Sequence, residues 1–135
     1  MEYGYNKPAG MMLGYPVISG TESYGHAGSF RNLFGEDATA EDFDRASLEK
    51  HVDENSVPLY IMHTATDAVV PVRNALELGN AYAKIGKSFE MHIYPSGAHG
   101  AALGNRITNG GKPQAWDHTQ IERWIQDAVH WAKSI

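Results

Sequence analysis

The sequence predicts an α/β domain with about three parallel strands and flanking helices. Three short runs, Met11–Val17, Val57–His63 and Phe89–Tyr94, have the length and apolar content of strands. A helical pattern of about a dozen residues separates the last two, and the order strand, helix, strand is that of a βαβ unit with parallel strands. The 135 residues fit one domain, residues 1–135.

The three runs differ in the burial that they predict. The first two, "MMLGYPV" and "VPLYIMH", are nearly continuous apolar segments, which is typical of strands buried on both faces. The second is entered through a proline, a residue tolerated at a strand start. In the third run the apolar residues Phe89, Met91 and Ile93 alternate with polar ones, so one face is predicted to be more polar.

Two segments carry the apolar spacing of helices. In the first, between the last two strands, one face is formed by Ala75, Leu78, Tyr82 and Ile85. Asn74 is predicted as its N-cap and Gly86 as the glycine that follows its end. The second runs from about Trp116 to Lys133, and its apolar positions are Ile121, Ile125, Ala128 and Ala132. Trp124 and Trp131 widen that face, and we interpret them as core residues.

The connection over residues 18–56 is long for a compact domain. A Gly/Ser-rich stretch is followed by "TAEDFDRASLEKHV", which is predicted to be helical, with Thr39 and Asp42 in the spacing of a capping box. Connections of this length often carry lids or specificity surfaces, and we predict such a role for this one.

Composition excludes several classes of function. The net charge is −5, which argues against a nucleic-acid-binding face. The chain has no cysteine, and no tight metal-ligand spacing is present, so neither a metal nor a cofactor is predicted. No run of 18 apolar residues predicts a membrane span, and the N-terminal residues do not resemble a signal peptide, which favours a cytoplasmic location.

Two polar side chains follow neighbouring strands of the predicted sheet. Asp67 lies in "TATDAVVPV" after the second strand, and His99 lies in "YPSGAHG" after the third. Because ligands bind beyond the carboxyl ends of parallel strands, both side chains are predicted at the active edge. A carboxylate beside a histidine is the orienting half of a Ser-His-Asp triad, and acid before histidine is the chain order of α/β-hydrolases.

Most of the chain, from about Lys7 onward, resembles the C-terminal half of α/β-hydrolase esterases. The resemblance rests on "KPAGMMLGYPVISG", "HAGSFRNLFG", "ASLEKHV", "PLYIMHTATDAVVPVRNALELGNAYAKIG" and "FEMHIYPSGAHGAALGN". It is strongest for the branch described as acetylxylan-esterase-like or lipase/esterase. In that family the D-x-x-V-P loop supplies the triad acid and the H-G after the last strand supplies the base. By position, the resemblance implies these roles for Asp67 and His99.

The G-x-S-x-G nucleophile motif and the earlier oxyanion loop of this family are not in the chain. The nearest string, "GTESYG", has the spacing G-x-x-S-x-G and follows the wrong strand, so Ser23 is interpreted as a loop residue. Ser29 in "HAGSF" matches the family within the connection and not as the nucleophile. His26 is a weak candidate for the mouth of the active site, whereas His63 and His92 are interpreted as structural.

The first hypothesis is therefore the C-terminal portion of a serine esterase acting on small carboxylic esters, acetylated sugars among them. The alternatives are a non-catalytic binding module derived from a truncated hydrolase and a peptidase of the same superfamily. Whether this chain alone is an enzyme stays open, because its nucleophile is missing. An exposed parallel sheet edge also predicts a partner, either a homo-oligomer or a complementing N-terminal half.

Overall fold

The computed structural model describes residues 6–108, 110–113 and 120–135. The strands are β1 (Met11–Gly14), β2 (Leu59–Thr64) and β3 (Phe89–Tyr94). The helices are α1 (Ala27–Phe34), α2 (Ala40–Arg45), α3 (Arg73–Lys84) and α4 (Trp124–Ala132). Single 3₁₀ turns cover Leu48–Lys50 and Ile121–Arg123.

The three strands form one parallel sheet in the order β1-β2-β3, as predicted. In its register Leu59 lies between Met11 of β1 and Phe89 of β3. All six residues of β2 are buried, because this central strand is covered on both faces. Its nearly continuous apolar sequence reflects this burial. β1 is shorter than predicted, because the chain leaves the strand after Gly14 and turns at Tyr15 and Pro16.

Each face of the sheet carries its own apolar cluster. On one face, the buried residues are Ile18, Leu59, Ile61, Ala75, Leu78 and Tyr82, so α3 covers this side. On the other, they are Tyr60, Met62, Ala101, Ile121, Ala128 and Trp131, so α4 covers that side. Burying a large apolar side chain contributes roughly 1.5–3 kcal/mol, and the two clusters therefore fix the sheet between the helices.

Helix α3 ends as the sequence predicts. Gly86 has a φ of +69°, and its N–H donates to Ala83 O at 3.1 Å. The N–H of Lys87 donates to Tyr82 O at 3.0 Å, which completes a Schellman motif. A glycine suits this position because a left-handed backbone strains other residues.

The predicted N-cap of α3 is wrong. Val72 is the N-cap, and Asn74 lies inside the first turn, fully buried. Its side-chain oxygen accepts the N–H groups of Ile18 and Ser19 at 3.0 and 3.1 Å, while its amide group donates to Tyr24 O and Pro71 O. The hydrogen bonds of Asn74 therefore connect the segment after β1 to the start of α3. Local spacing alone cannot reveal such long-range partners.

The C-terminal helix is shorter than predicted among the described residues, and the proposed start at Trp116 lies outside them. Ala128 and Trp131 are buried as expected, and Trp124 is half-buried. Ile125 and Ala132, predicted to face the core, are exposed. The reason is geometric: α4 contacts the sheet along the line of Ala128 and Trp131, and one flank of its wide apolar face has no covering element in the described ranges.

The long connection is more ordered than its composition indicates. The capping box is confirmed, because Thr39 and Asp42 exchange both hydrogen bonds at the start of α2. Helix α1 was not predicted, since its first turn is Gly/Ser-rich and its N-cap is His26, an unusual capping residue. None of the described helices has the length and apolar content that crossing a membrane requires.

Candidate active site

The structure brings the two predicted site residues together at the carboxyl ends of β2 and β3. Asp67 Oδ2 lies 2.8 Å from His99 Nδ1, although the two residues are 32 positions apart. The carboxylate can only accept, so the proton of this hydrogen bond is on Nδ1. The remaining ring nitrogen of neutral His99, Nε2, then carries a lone pair, which is the requirement for a general base.

The other carboxylate oxygen of Asp67 holds its own loop. Oδ1 accepts the N–H groups of Val69 and Val70, each at 2.9 Å. Burial raises the pKa of Asp67, but the hydrogen bonds from Val70, His99 and Val69 outweigh it, so the pKa lies below its ordinary value. Asp67 is therefore an anion at neutral pH, fixed in orientation and able to stabilise a cationic imidazole.

A second histidine, His63, lies beside the same carboxylate. His63, at the end of β2, is fully buried; its Nε2 lies 2.9 Å from Val70 O and 3.3 Å from Asp67 Oδ2. Both neighbours are acceptors, so Nε2 carries the proton. Burial lowers the pKa of His63 more than Val70 O and Asp67 raise it, and the ring stays neutral. This agrees with the interpretation of His63 as structural.

Hydrogen bonds between the two loops set the distance from Asp67 to His99. The hydroxyls of Thr64 and Thr66 donate to Gly97 O at 2.9 and 3.3 Å, and the N–H of Gly97 donates to Thr66 Oγ1 at 3.0 Å. A Cβ at Gly97 would lie 2.5 Å from Thr64 Cγ2, so only glycine allows this approach. Sequence reasoning missed these residues, although the small residues of "PSGAHG" were the available indication.

Tyr15 completes the surroundings of His99. Its ring centroid lies 5.0 Å from that of the imidazole, in an edge-on arrangement with an interplanar angle of 67°. The His99 side chain remains 31% exposed. Among the described residues, no hydrogen-bond partner occupies Nε2, and this nitrogen is therefore available to a group that the described residues do not supply.

The serines weighed from the sequence do not join this pair. Ser23 lies in an exposed turn, in agreement with its interpretation as a loop residue. Ser29 lies in the connection: its Oγ is 2.9 Å from His26 Nδ1, which also accepts the N–H of Ser29 and so caps α1. Whether His26 also borders the mouth of the site stays a prediction. Within the described ranges, no cluster of His, Asp or Glu is arranged to hold a metal.

Known proteins share this arrangement of elements. The structure matches an acetyl ester-xyloside bifunctional hydrolase from Caldicellulosiruptor lactoaceticus with a TM-score of 0.79 and 33% identity, over 94% of this chain and 42% of that one. An endo-1,4-β-xylanase B from Butyrivibrio fibrisolvens is 40% identical over 99 residues, which are 73% of this chain and 15% of that protein. An acetylxylan esterase from Xylanibacter ruminicola is 29% identical over an alignment that covers 96% of this chain and 25% of that protein.

The chain thus spans less than half of the length of each of these relatives. Its fold is that of the α/β-hydrolases, as in an α/β-hydrolase from a deep-sea metagenome library that it matches with a TM-score of 0.65 and 23% identity, over 95% of this chain and 44% of that one. The family model of the prolyl oligopeptidase family matches residues 9–132, nearly the whole length. The chain belongs to the prolyl oligopeptidase family.

Proposed function

We propose that this chain is the C-terminal portion of a serine esterase that hydrolyses small carboxylic esters, acetylated sugars among them. The observation that carries the proposal is the 2.8 Å hydrogen bond between Asp67 Oδ2 and His99 Nδ1 at the carboxyl edge of a parallel sheet. In the proposed triad His99 is the base and Asp67 its orienting partner.

The chemistry follows from the protonation states. A serine hydroxyl supplied by an upstream half would lose its proton to His99 Nε2 as its oxygen attacks the ester carbonyl. The resulting imidazolium donates through Nδ1 to the Asp67 anion, and then returns the proton to the leaving alcohol. Water repeats the sequence on the acyl-enzyme and releases the acid. The donors that stabilise the oxyanion would also come from the upstream half.

An ester is favoured over a peptide by the relatives. One solved relative is described as an acetyl ester-xyloside hydrolase and one curated relative as an acetylxylan esterase. The family name, in contrast, is that of a peptidase family, which keeps peptide hydrolysis as the second candidate. The same serine mechanism serves both, so the substrate must be tested directly.

Exposed apolar side chains support the need for an upstream half. β1 is an edge strand, and Met12 in it is 43% exposed. Leu33 of α1 and Leu48 are 69% and 43% exposed, and they line an open apolar cavity of about 240 Å³ with Val17 and Phe30. Apolar surface of this kind is typical of an interface. This cavity, formed largely by the connection over residues 18–56, also fits the predicted specificity role of that segment.

The proposal is tested by reconstitution. The 135-residue chain is mixed or fused with an N-terminal half that carries a G-x-S-x-G motif, and hydrolysis of p-nitrophenyl acetate, acetylated xylo-oligosaccharides and an acyl-peptide nitroanilide is followed. We expect ester hydrolysis, and its loss by several orders of magnitude in His99→Ala. His130→Ala, which removes an exposed histidine of α4, is the matched control and should leave the rate unchanged.

The outcomes separate the three hypotheses. Preferential cleavage of the nitroanilide that depends on His99 would replace the esterase by a peptidase. A folded complex that hydrolyses none of the substrates and does not react with a fluorophosphonate would favour the binding module.

A further inference from the structure

Tyr15 has a backbone conformation that tyrosine rarely adopts. Its φ is +41°, in the left-handed region, where the Cβ of any residue other than glycine is strained against the backbone. The residue lies where β1 ends, at the same edge of the sheet as Asp67 and His99. Backbone strain of this kind tends to occur at functional sites.

The left-handed backbone decides the side of the sheet to which the ring turns. In β1, Met11 and Leu13 pack with the cluster on the α3 side, so strand alternation would send residue 15 to that side as well. Instead, Tyr15 packs against the cluster on the α4 side. The left-handed backbone at Tyr15 therefore turns its side chain to the face opposite that of Met11 and Leu13.

On that side the ring meets His99. The two ring centroids are 5.0 Å apart, and the backbone of Tyr15 is held by its N–H, which donates to Met62 O at 2.8 Å. The imidazole is thus bounded on one side by the Asp67 carboxylate and on another by the aromatic ring of the residue that follows β1. An aromatic contact of this type contributes about 0.5–1.5 kcal/mol.

We propose that Tyr15 is a positioning residue, whose ring keeps the imidazole of His99 in the rotamer that bonds to Asp67. The geometry is a property of this chain, and its catalytic meaning rests on the proposed esterase function. Asp67 fixes which nitrogen is protonated, and Tyr15 limits how far the ring can turn away.

Two substitutions separate the ring from the backbone. Tyr15→Asn removes the ring and keeps a residue that tolerates the left-handed region, whereas Tyr15→Phe keeps the ring. In the 135-residue chain, ¹⁵N NMR of His99 reports the tautomer and the solvent exchange of the Nδ1 proton. We expect exchange of the Nδ1 proton to accelerate about two- to tenfold in the Asn variant, the change that loss of one aromatic contact would cause. In the Phe variant we expect it to be unchanged.

Protection of the backbone amide at position 15, which donates to Met62 O, reports whether β1 remains paired. If the Asn variant loses that protection, Tyr15→Gly, which adopts the same backbone without strain, replaces it in the comparison. Unchanged Nδ1 exchange in a variant that lacks the ring but keeps β1 paired would overturn the proposal, and so would acceleration in the Phe variant.

The measurement needs no catalysis, so it can succeed or fail independently of the proposed function. If reconstitution yields an active esterase, the same variants give a second readout. Loss of positioning lowers kcat with KM unchanged, because the ring acts on the base and not on substrate binding.

Discussion

Asp67 divides its two oxygens between two tasks. Oδ1 accepts two backbone N–H groups of its own loop, and Oδ2 faces His99 and His63. The N–H groups of its own loop therefore orient the carboxylate independently of the imidazole of His99, and both of its oxygens act as acceptors. The sequence could predict this residue, because a D-x-x-V-P loop after a buried strand is a strong local pattern, but not its second histidine neighbour.

Asp67→Asn tests the acceptor role. The amide can present N–H to His99, which favours the tautomer with the proton on Nε2 and removes the base. We expect the ¹⁵N spectrum to show this change of tautomer in the chain alone, and reconstituted esterase activity to fall about 10⁴-fold, as in other triads. A variant that keeps the proton on Nδ1 and most of the activity would contradict the assignment.

His63 predicts a pH dependence of stability. Its pKa in the folded chain lies below the ordinary value of about 6.5, so between the two values the unfolded chain binds a proton that the folded chain does not. The contribution of neutral His63 to the free energy of unfolding is therefore fully present above about pH 6.5, and it is lost as the pH falls through this window. Asp67, whose pKa is also lowered, adds a second loss below about pH 4.

Urea denaturation between pH 5 and 8 measures the first of these losses. His63→Gln retains a donor for Val70 O and does not titrate, so its stability should vary less with pH than that of the unmodified chain. His130→Gln, at an exposed position, is the control and should keep the original dependence. Equal slopes for the His63 variant and the unmodified chain would show that His63 is not the responsible group.

At the level of elements, the loops that follow β2 and β3 act as one unit. Three hydrogen bonds join Thr64 and Thr66 to Gly97, and the close approach at Gly97 leaves no room for a side chain. The position of His99 relative to Asp67 therefore depends on a contact two residues before the histidine.

Gly97→Ala should separate the two loops. The added Cβ meets Thr64 at 2.5 Å, so we expect a loss of stability of about 1–3 kcal/mol and weakening of the His99–Asp67 hydrogen bond. Urea denaturation and the His99 Nδ1 proton signal measure the two effects. Gly28→Ala in α1, where the added Cβ would lie 3.4 Å from its nearest neighbour, His26 Cε1, is the matched control. Equal behaviour of both variants would exclude a special role for Gly97.

Elements with a strong local pattern were predictable, and those defined by distant partners were not. The β2 and β3 strands, the glycine that ends α3 and the capping box of α2 all follow from short-range rules. The helical position of Asn74 does not, because its four hydrogen bonds reach Ile18, Ser19 and Tyr24 as well as Pro71. The exposure of Ile125 likewise depends on which neighbours cover α4, which spacing along one helix cannot tell.

For the whole molecule, the sheet has an apolar edge strand that the described residues leave uncovered. Met12 of β1 and Val129 of α4 are 43% and 47% exposed, and within the described ranges β1 pairs with β2 alone. We therefore expect the isolated chain to associate with itself, and an upstream half to compete with that association. The sequence could predict that Asp67 and His99 lie at the same edge of the sheet, but the exposed apolar surface depends on how the elements pack and could not be predicted.

Sedimentation velocity tests the association. Met12→Lys places a charge on the exposed side of β1 and should shift the chain towards the monomer. Association through β1 would bring the two lysines together or bury them in the interface. Val69→Lys is the control, because Val69 is exposed in the loop that carries Asp67, outside β1. A chain that is already monomeric, or that associates equally in both variants, would contradict an interface at β1.

The order of β2, α3 and β3 along the chain has a consequence for folding. Asp67 and His99 are separated by a single helix-strand passage, α3 and β3, so their contact closes a loop of 32 positions, and shorter loops cost less entropy than contacts between more distant segments. We therefore expect this passage to form before β1 is added to it. If the chain works as the proposed esterase, Asp67 and His99 would then meet early in folding, and the serine of an upstream half would join them last.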